Sequence, residues 1–456
     1  MDKTTTILRE HKLCCNCLGR MFGMLATGLT NKERGEAIIT MLVMNADEML
    51  KKSENAKADK IIEAVKNIIG FKPVEKFLSE ERGLNTAVEG VCYICDGVFN
   101  KLDELLSNSL RELEKYEFKT FLVGTNVDER IIEREDNLRA RFGVIWGESI
   151  KSELNREIGK KIKQYFRDCE TSFENPHIIV EYSIPGFQIR VNVNPVFIYG
   201  RYKKLVRGIP QTKWLCKACK GAGCEKCGFK GKMYETSVEE LISEPVIEKL
   251  NGVSAKFHGA GREDIDAIMT GVGRPFVLEV KGVKKRFVEL ETITKLINQH
   301  ANGKVEVSDL KWTSRNIIRR IKALSKITKK KYRAIVELNN NIIDDKISEA
   351  ENRLLNTIIQ QRTPKRVAHR RSDKLREKQV YSVKIKRLSD NKLELVVDCQ
   401  GGLYVKELVS GDDGRTKPSL SEILGVEAKC IQLDVLNVDF PDEAAVSEKQ
   451  DVKNNI

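Results

Sequence analysis

Eight of the twelve cysteines in this 456-residue chain fall into four C-x-x-C pairs: Cys14/Cys17, Cys92/Cys95, Cys216/Cys219 and Cys224/Cys227. A tetrahedral zinc site needs four soft or borderline ligands, and one C-x-x-C turn supplies two of them, so two turns close a site. The last two pairs lie together in WLCKACKGAGCEKCGFKGK, where all four thiols are local and the glycines permit a tight metal knuckle. Their four-residue gap is shorter than the usual ribbon spacing, which leaves room for strain or for a ligand borrowed from elsewhere. The first two pairs are about 75 residues apart, and joining them would staple the N-terminus onto a later helix pair. There Cys15 makes the ligand choice ambiguous, and a redox pair is the alternative. Closed four-thiolate sites imply structural rather than catalytic zinc. Cys15, Cys169, Cys399 and Cys430 show no pairing and read as core or incidental residues.

A chain of this length divides into two to four domains. Lysine and arginine number 79 against 66 acidic residues, a net charge of +13, which points to a polyanionic partner and first of all to nucleic acid. A membrane surface would call for an apolar anchor, and the longest apolar run, IITMLVM, is far too short to span. The opening MDKTTTILREHK lacks the apolar stretch of a secretory signal. The expectation is a soluble, cytoplasmic protein.

Apolar positions recur every three to four residues in EAIITMLVMNADEML and DKIIEAVKNIIG, so the first hundred residues read as helical. From about Glu117 the strand-like runs FKTFLVG, HIIVEY and FQIRVNV surround the helix-period segment ESIKSELNREIGKKIKQYF, an α+β module. VNPVFIYGRYKKLVRGIPQTKW, basic and punctuated by Gly and Pro, reads as a domain exit. Past the cysteine insert, YETSVEELISEPVIEKL opens as helices do, with Ser before an acidic first turn. RPFVLEV, QVYSVKIKRL, KLELVVDC and IQLDVLNVDF read as strands, and ETITKLINQHANG as a helix.

The stretch KFHGAGREDIDAIMTGVGRPF sets Asp264 and Asp266 beside Arg262 among Gly259, Gly261, Gly271 and Gly273. Gly and Asp serve turns, so alone it favours a plain loop. No Walker A sequence and no GxGxxG after a strand is present, and none of the five histidines, His258 included, has metal or triad spacing. Two intensely basic segments follow. Arg319 to Arg333 holds eight basic and no acidic residues, and Arg362 to Lys378 holds eight basic and two acidic. Eight cations without an acid repel one another unless a polyanion arrives, although a solvated helix face is the bland alternative. A carboxylate, the tyrosines of YRAIV and GGLYVKELV, and these cations suit cofactor-free chemistry on a flipped base. The residues alone leave open an RNA-binding module whose acids only cap turns.

Three segments together resemble the pseudouridine synthases. GREDID resembles that family's Gly-Arg-x-Asp catalytic loop, which selects Asp264 and leaves Asp266 second. KKKYRAIV resembles the segment carrying the base-stacking tyrosine, here Tyr332. DCQGGLYVKELVSGD resembles the TruB-type stretch whose basic residue pairs with the aspartate, and Lys406 stands there. A lysine gives a point charge where arginine gives a fork. Tyr332 and Tyr404, by spacing alone, are strand core residues, and Lys406 has Glu407 and Asp412 as surface alternatives. The N-terminal C-x-x-C pairs, GRYKKLVRGIPQTKW, the cysteine insert, GREDIDAIMTGVGRPF and QRTPKRVAHRR, in that order, resemble the archaeal Pus-ten family of tRNA pseudouridine synthases over nearly the whole chain.

The resemblance implies an α+β, multidomain chain. A zinc-stapled N-terminal part with a THUMP-like, tRNA-recognising module would span residues 1–208, and a cysteine-rich insert 209–232. A catalytic domain on a mixed, mainly antiparallel sheet would span 233–442, with a disordered tail at 443–456. It implies an isomerase that makes pseudouridine at positions 54 and/or 55 of the TΨC arm without an organic cofactor. Asp264 would open the reaction, Lys406 would keep it ionised, and Tyr332 would stack on the uracil and share in removing its C5 proton. Arg262 and Tyr404 would meet the substrate. Arg319, Arg320, Lys329, Lys330, Lys331, Arg366, Arg370 and Arg371 would meet the tRNA backbone, with affinity falling steeply in salt. Structural zinc would sit on the eight paired cysteines, and the chain would act as a monomer. The rival is a zinc-containing tRNA-binding or RNA-chaperone protein with no catalysis.

Overall fold

The computed structural model describes residues 2–83 and 90–440; the tail read as disordered lies outside them. Two compact units meet in the chain between Val193 and Asn194.

In the first unit the helical periodicity yields the helices Asn31–Lys51 and Asn55–Val65. Thr30 starts the longer one through a reciprocal cap: its hydroxyl accepts from Glu33 N at 3.2 Å, and the Glu33 carboxylate accepts from Thr30 N at 2.7 Å. Short parallel pairs Leu13↔Ile68 and Cys14↔Ile69 bring the first cysteine turn against this helical layer. The α+β module follows. Its four-stranded sheet runs Glu170–Thr171, Thr120–Val127, Ile178–Ile184, Gln188–Val193, with the helices Glu129–Arg141 and Ile150–Tyr165. Helical layer and module share one apolar core, from Leu8, Leu18 and Leu42 to Phe121, Ile158 and Val180.

The second unit is built on a ten-stranded sheet. Its order is Val305–Thr313, Val196–Lys204, Ile268–Lys281, Ala428–Asp439, Lys329–Leu338, Lys392–Gln400, Leu375–Ser389, Ile358–Arg362, Thr416–Lys417, with Ser254–Gly259 added against Ile268–Lys281. Every pairing is antiparallel save one. Asp434↔Ile268 and Val435↔Met269 are parallel, so the sheet is mixed and mainly antiparallel. Helix Val238–Lys249 begins where expected, with the Ser237 hydroxyl accepting from Glu240 N at 3.2 Å.

One reading is corrected. The stretch taken as a domain exit contains Val196–Lys204, a strand buried along almost its whole length between Val305–Thr313 and Ile268–Lys281. Its charges have partners inside the fold: Arg201 donates to Gly273 O and Phe440 O, and Lys204 to three further carbonyls. The compact units therefore divide ahead of this strand, where the sequence reading ended the N-terminal part at residue 208.

Candidate active site

The parallel junction positions the site. Ile268 enters the sheet beside Asp434, and Asp434 Oδ1 accepts from Ile268 N at 3.3 Å. The loop preceding it, Gly261 to Ala267, joins Ser254–Gly259 to this strand and carries both aspartates. Gly261 has φ +89°, and a Cβ there would come within 2.9 Å of Arg274 Nη1, so the position is closed to other residues.

The loop is clamped from beneath. Lys204 Nζ, buried, donates to Ile209 O (3.0 Å), Asp264 O (3.1 Å) and Ile265 O (2.9 Å). Arg207 reaches Asp266 O at 2.5 Å. Glu263 points inward to the buried Arg274 at 3.0 Å and accepts from Tyr202 Oη at 2.8 Å, while Gln211 Nε2 donates to Tyr202 Oη and to Gly261 O. With Glu263 turned down, its neighbour Asp264 turns up into a cleft of roughly 620 Å³. None of Lys204, Gln211, Glu263 and Arg274 was singled out from sequence. Their signal is tertiary, since each is an ordinary polar residue until the loop lies over it.

In the cleft Lys406 Nζ lies 3.4 Å from Asp264 Oδ2 and 2.9 Å from Asp266 Oδ2. Burial would raise the Asp266 carboxyl, but the Lys406 hydrogen bond and charge outweigh it and hold the group below the usual carboxylate range. Lys406 is pulled down by burial and, on balance, raised by the two carboxylates. Arg366, expected on tRNA phosphate, sits 3.6 Å from Asp264 Oδ1, is fixed by Glu407 at 2.6 Å and lies over the Tyr404 ring at 5.8 Å. Asp264 thus has two cations at hand. The Tyr404 hydroxyl accepts from Arg371 Nη1 at 2.9 Å. Tyr332, half-buried on Lys329–Leu338, lines the same cleft, and burial pushes its phenol up so that it keeps its proton. At the rim Arg262 stacks on Trp214, 5.2 Å from the ring centre. Leu433 and Val435 supply apolar wall.

The first basic run is not one helix face. Arg319 and Arg320 lie on helix Asn316–Leu324, and Lys329, Lys330 and Lys331 on the strand that follows. Strand alternation exposes Lys329 and Lys331 and turns Lys330 inward, on the Tyr332 side. The Arg370 side chain lies outside the described residues. His258 pairs with Glu279 at 3.1 Å on the buried sheet face, apart from these groups.

Both cysteine sets converge. The Sγ atoms of Cys14, Cys17, Cys92 and Cys95, all buried, lie within 4.8 Å of one another, as do those of Cys216, Cys219, Cys224 and Cys227. The closest separations, 3.7 Å in the first set and 3.8 to 3.9 Å in the second, match the ~3.8 Å edge of a tetrahedron with Zn–S near 2.3 Å. Backbone N–H groups of Gly223, Cys224 and Gly231 aim at Cys219 and Cys227 sulfurs at 3.2 to 3.3 Å. The Cys224 N–H, ahead of the others, holds the Cys227 thiol down to about 6. Four local thiols suffice, with no borrowed ligand. At the N-terminal set the thiol that joins the cluster is Cys14; Cys15 stays outside it, and burial pushes its thiol up to about 12. The buried Arg20 donates to Cys17 Sγ at 3.4 Å and pairs with Glu135 (2.7 Å) and Glu153 (2.8 Å), which ties this cluster to both helices of the α+β module.

The cleft thus sets two carboxylates, Asp264 and Asp266, against the Lys406 ammonium on a mixed sheet, with further cations and two tyrosines around them. Comparison with known proteins gives the class. The family profile "Pus10, C-terminal" matches residues 197–439, and "Pus10 THUMP domain, archaeal" matches 107–182. A "tRNA pseudouridine synthase Pus10" of Methanothermobacter marburgensis is 43% identical over 95% of this chain and 97% of its own. One of Methanocaldococcus jannaschii is 42% identical over 95% and 93%. A solved Cbf5-Nop10-Gar1 complex is a distant likeness, at 17% identity and a TM-score of 0.28 over 44% of this chain and 45% of that one. This chain belongs to the Pus10 family. Among the described residues no helix is long and apolar enough to cross a membrane.

Proposed function

We propose that the protein isomerises uridine to pseudouridine in tRNA, at position 54 and/or 55 of the TΨC arm, with Asp264 as the reacting carboxylate and no organic cofactor. The observation that carries this reading is Lys406 bridging Asp264 and Asp266 within 3.4 Å, in a cleft that also holds Tyr332. The N1–C1′ bond breaks, the uracil turns over, and C5 rejoins C1′. Asp264 opens the sequence, either as nucleophile at C1′ or as the base that starts ribose elimination. Lys406 and Arg366, 3.4 and 3.6 Å away, aim its carboxylate. Tyr332 stacks on the base, Tyr404 and Arg262 flank it, and exposed cations such as Arg319, Lys329 and Lys331 meet phosphates. The two cysteine sets hold zinc, which fixes local structure and takes no part in the reaction.

The test is to incubate the purified chain with an unmodified tRNA transcript and map pseudouridine by carbodiimide primer extension. New stops confined to the TΨC arm are expected. Tight binding without any stop would favour the non-catalytic tRNA-binding or chaperone reading.

A further inference from the structure

Lys330 is the one member of its basic run that the fold withdraws from the surface. It lies on strand Lys329–Leu338 two residues before Tyr332, pairs across to Cys399, and shares the inner strand face with Tyr332. Its Nζ sits against the catalytic loop: a Cβ on Gly261 would come within 3.1 Å of it, and Lys330 and Gly261 both line the cleft. Among the described residues this amine has neither a hydrogen-bond acceptor nor an ion-pair partner, and it is not one of the fully sealed polar atoms, so it opens to the cleft. The charged and titratable groups that face it are Arg274, Cys399, Glu263 and Lys378. Glu263 is committed to Arg274 and Tyr202, and burial pushes the Cys399 thiol up to about 12, so neither neutralises it as an anion.

Pseudouridine formation ends with a proton on the wrong atom. Once C5 has bonded to C1′, it carries both the new bond and its hydrogen. The C5–H bond must then break, its electron pair forming C5=C6 while the N1=C6 π pair returns to N1, which takes up a proton. A base in the cleft has to accept the C5 proton. Tyr332 is poorly suited, since partial burial raises its phenol and it holds its own proton.

We propose that Lys330, as a neutral amine, accepts the C5 proton, while Tyr332 only holds the ring; this rests on the pseudouridine reading above. The resulting ammonium passes the proton to N1 or to solvent, so atoms and electrons balance without a co-reactant. Burial, assisted by the Arg274 charge, pushes the amine down to about 7, where it is substantially unprotonated at neutral pH.

The experiment uses the full chain and unmodified tRNA transcripts carrying either ordinary or C5-deuterated uridine, in single turnover from pH 5.5 to 9. Lys330→Arg keeps a cation for any phosphate but cannot act as a neutral base. Wild type is expected to speed up as pH rises through about 7. Lys330→Arg is expected to bind tRNA with unchanged affinity, to react about 100-fold more slowly, to lose that pH limb, and to show a primary C5 deuterium effect. Lys330→Ala is expected to regain rate on addition of methylamine. A wild-type rate in Lys330→Arg would overturn the proposal. So would a loss that follows tRNA affinity, or a slow variant without deuterium effect or amine rescue, since these mark a phosphate contact or a structural role. Absence of pseudouridine from wild type would overturn the functional reading itself and this proposal with it.

Discussion

A buried lysine with no partner burdens the fold, and that burden can be measured. In Lys330→Met the ammonium is replaced by an apolar chain of similar length. The drop of the amine from 10.5 to about 7 corresponds to about 4–5 kcal/mol in favour of the neutral form, and local relaxation leaves roughly half of that, about 2 kcal/mol or more. The sign follows from linkage. Between pH 7 and about 10.5 the unfolded chain carries the proton and the folded one does not, so wild-type stability rises with pH across that window and the penalty is complete below pH 7. Lys330→Met should therefore be more stable than wild type at pH 6, with the advantage shrinking steadily above pH 7. Urea unfolding at pH 6, 7, 8 and 9 reads this as a difference in midpoint at constant slope, and groups common to both proteins cancel. Lower stability of the variant at pH 6, or an advantage independent of pH, would refute the reasoning.

The same substitution at Lys204 should act in the opposite direction. Lys204→Met orphans three carbonyls beneath the aspartate loop; at about 1 kcal/mol each it should destabilise by about 2–3 kcal/mol in urea unfolding and slow single turnover as well. Lys406→Met should cost roughly 10- to 100-fold in single-turnover rate, worth about 1.4–2.7 kcal/mol. It should also raise the Asp266 carboxyl toward the ordinary aspartate value, read by carbon NMR titration; an unmoved Asp266 would contradict the ion pair seen at 2.9 Å. Native mass spectrometry should find two zinc ions per chain. Cys219→Ser should lose one of them while the N-terminal site, with its buried thiols, keeps the other; loss of both would contradict two independent clusters.

The two four-cysteine clusters were legible because C-x-x-C turns carry their geometry in four consecutive residues, and the helices and most strands because their apolar periods are local. Asp264 and Lys406 were legible only as motif matches, and their meeting at 3.4 Å is a product of the fold. Charges whose purpose is tertiary were misread. Lys204 and Arg201 made the stretch around Val196–Lys204 look like a basic domain exit, whereas the fold gives both residues carbonyl partners. Three consecutive lysines looked alike as a charge run, yet strand alternation separates Lys330 from Lys329 and Lys331. Arg366 read from sequence only as a phosphate contact, and the fold adds Glu407 and Asp264 beside it.

The central claim is that Asp264 performs the chemistry, with Asp266 sharing only its lysine. Wild type, Asp264→Asn and Asp266→Asn should be compared in single turnover on one unmodified tRNA transcript, with tRNA affinity measured in parallel. The account predicts pseudouridine from wild type and, more slowly, from Asp266→Asn, and none from Asp264→Asn despite unchanged binding. Pseudouridine from Asp264→Asn at a rate near wild type would contradict it.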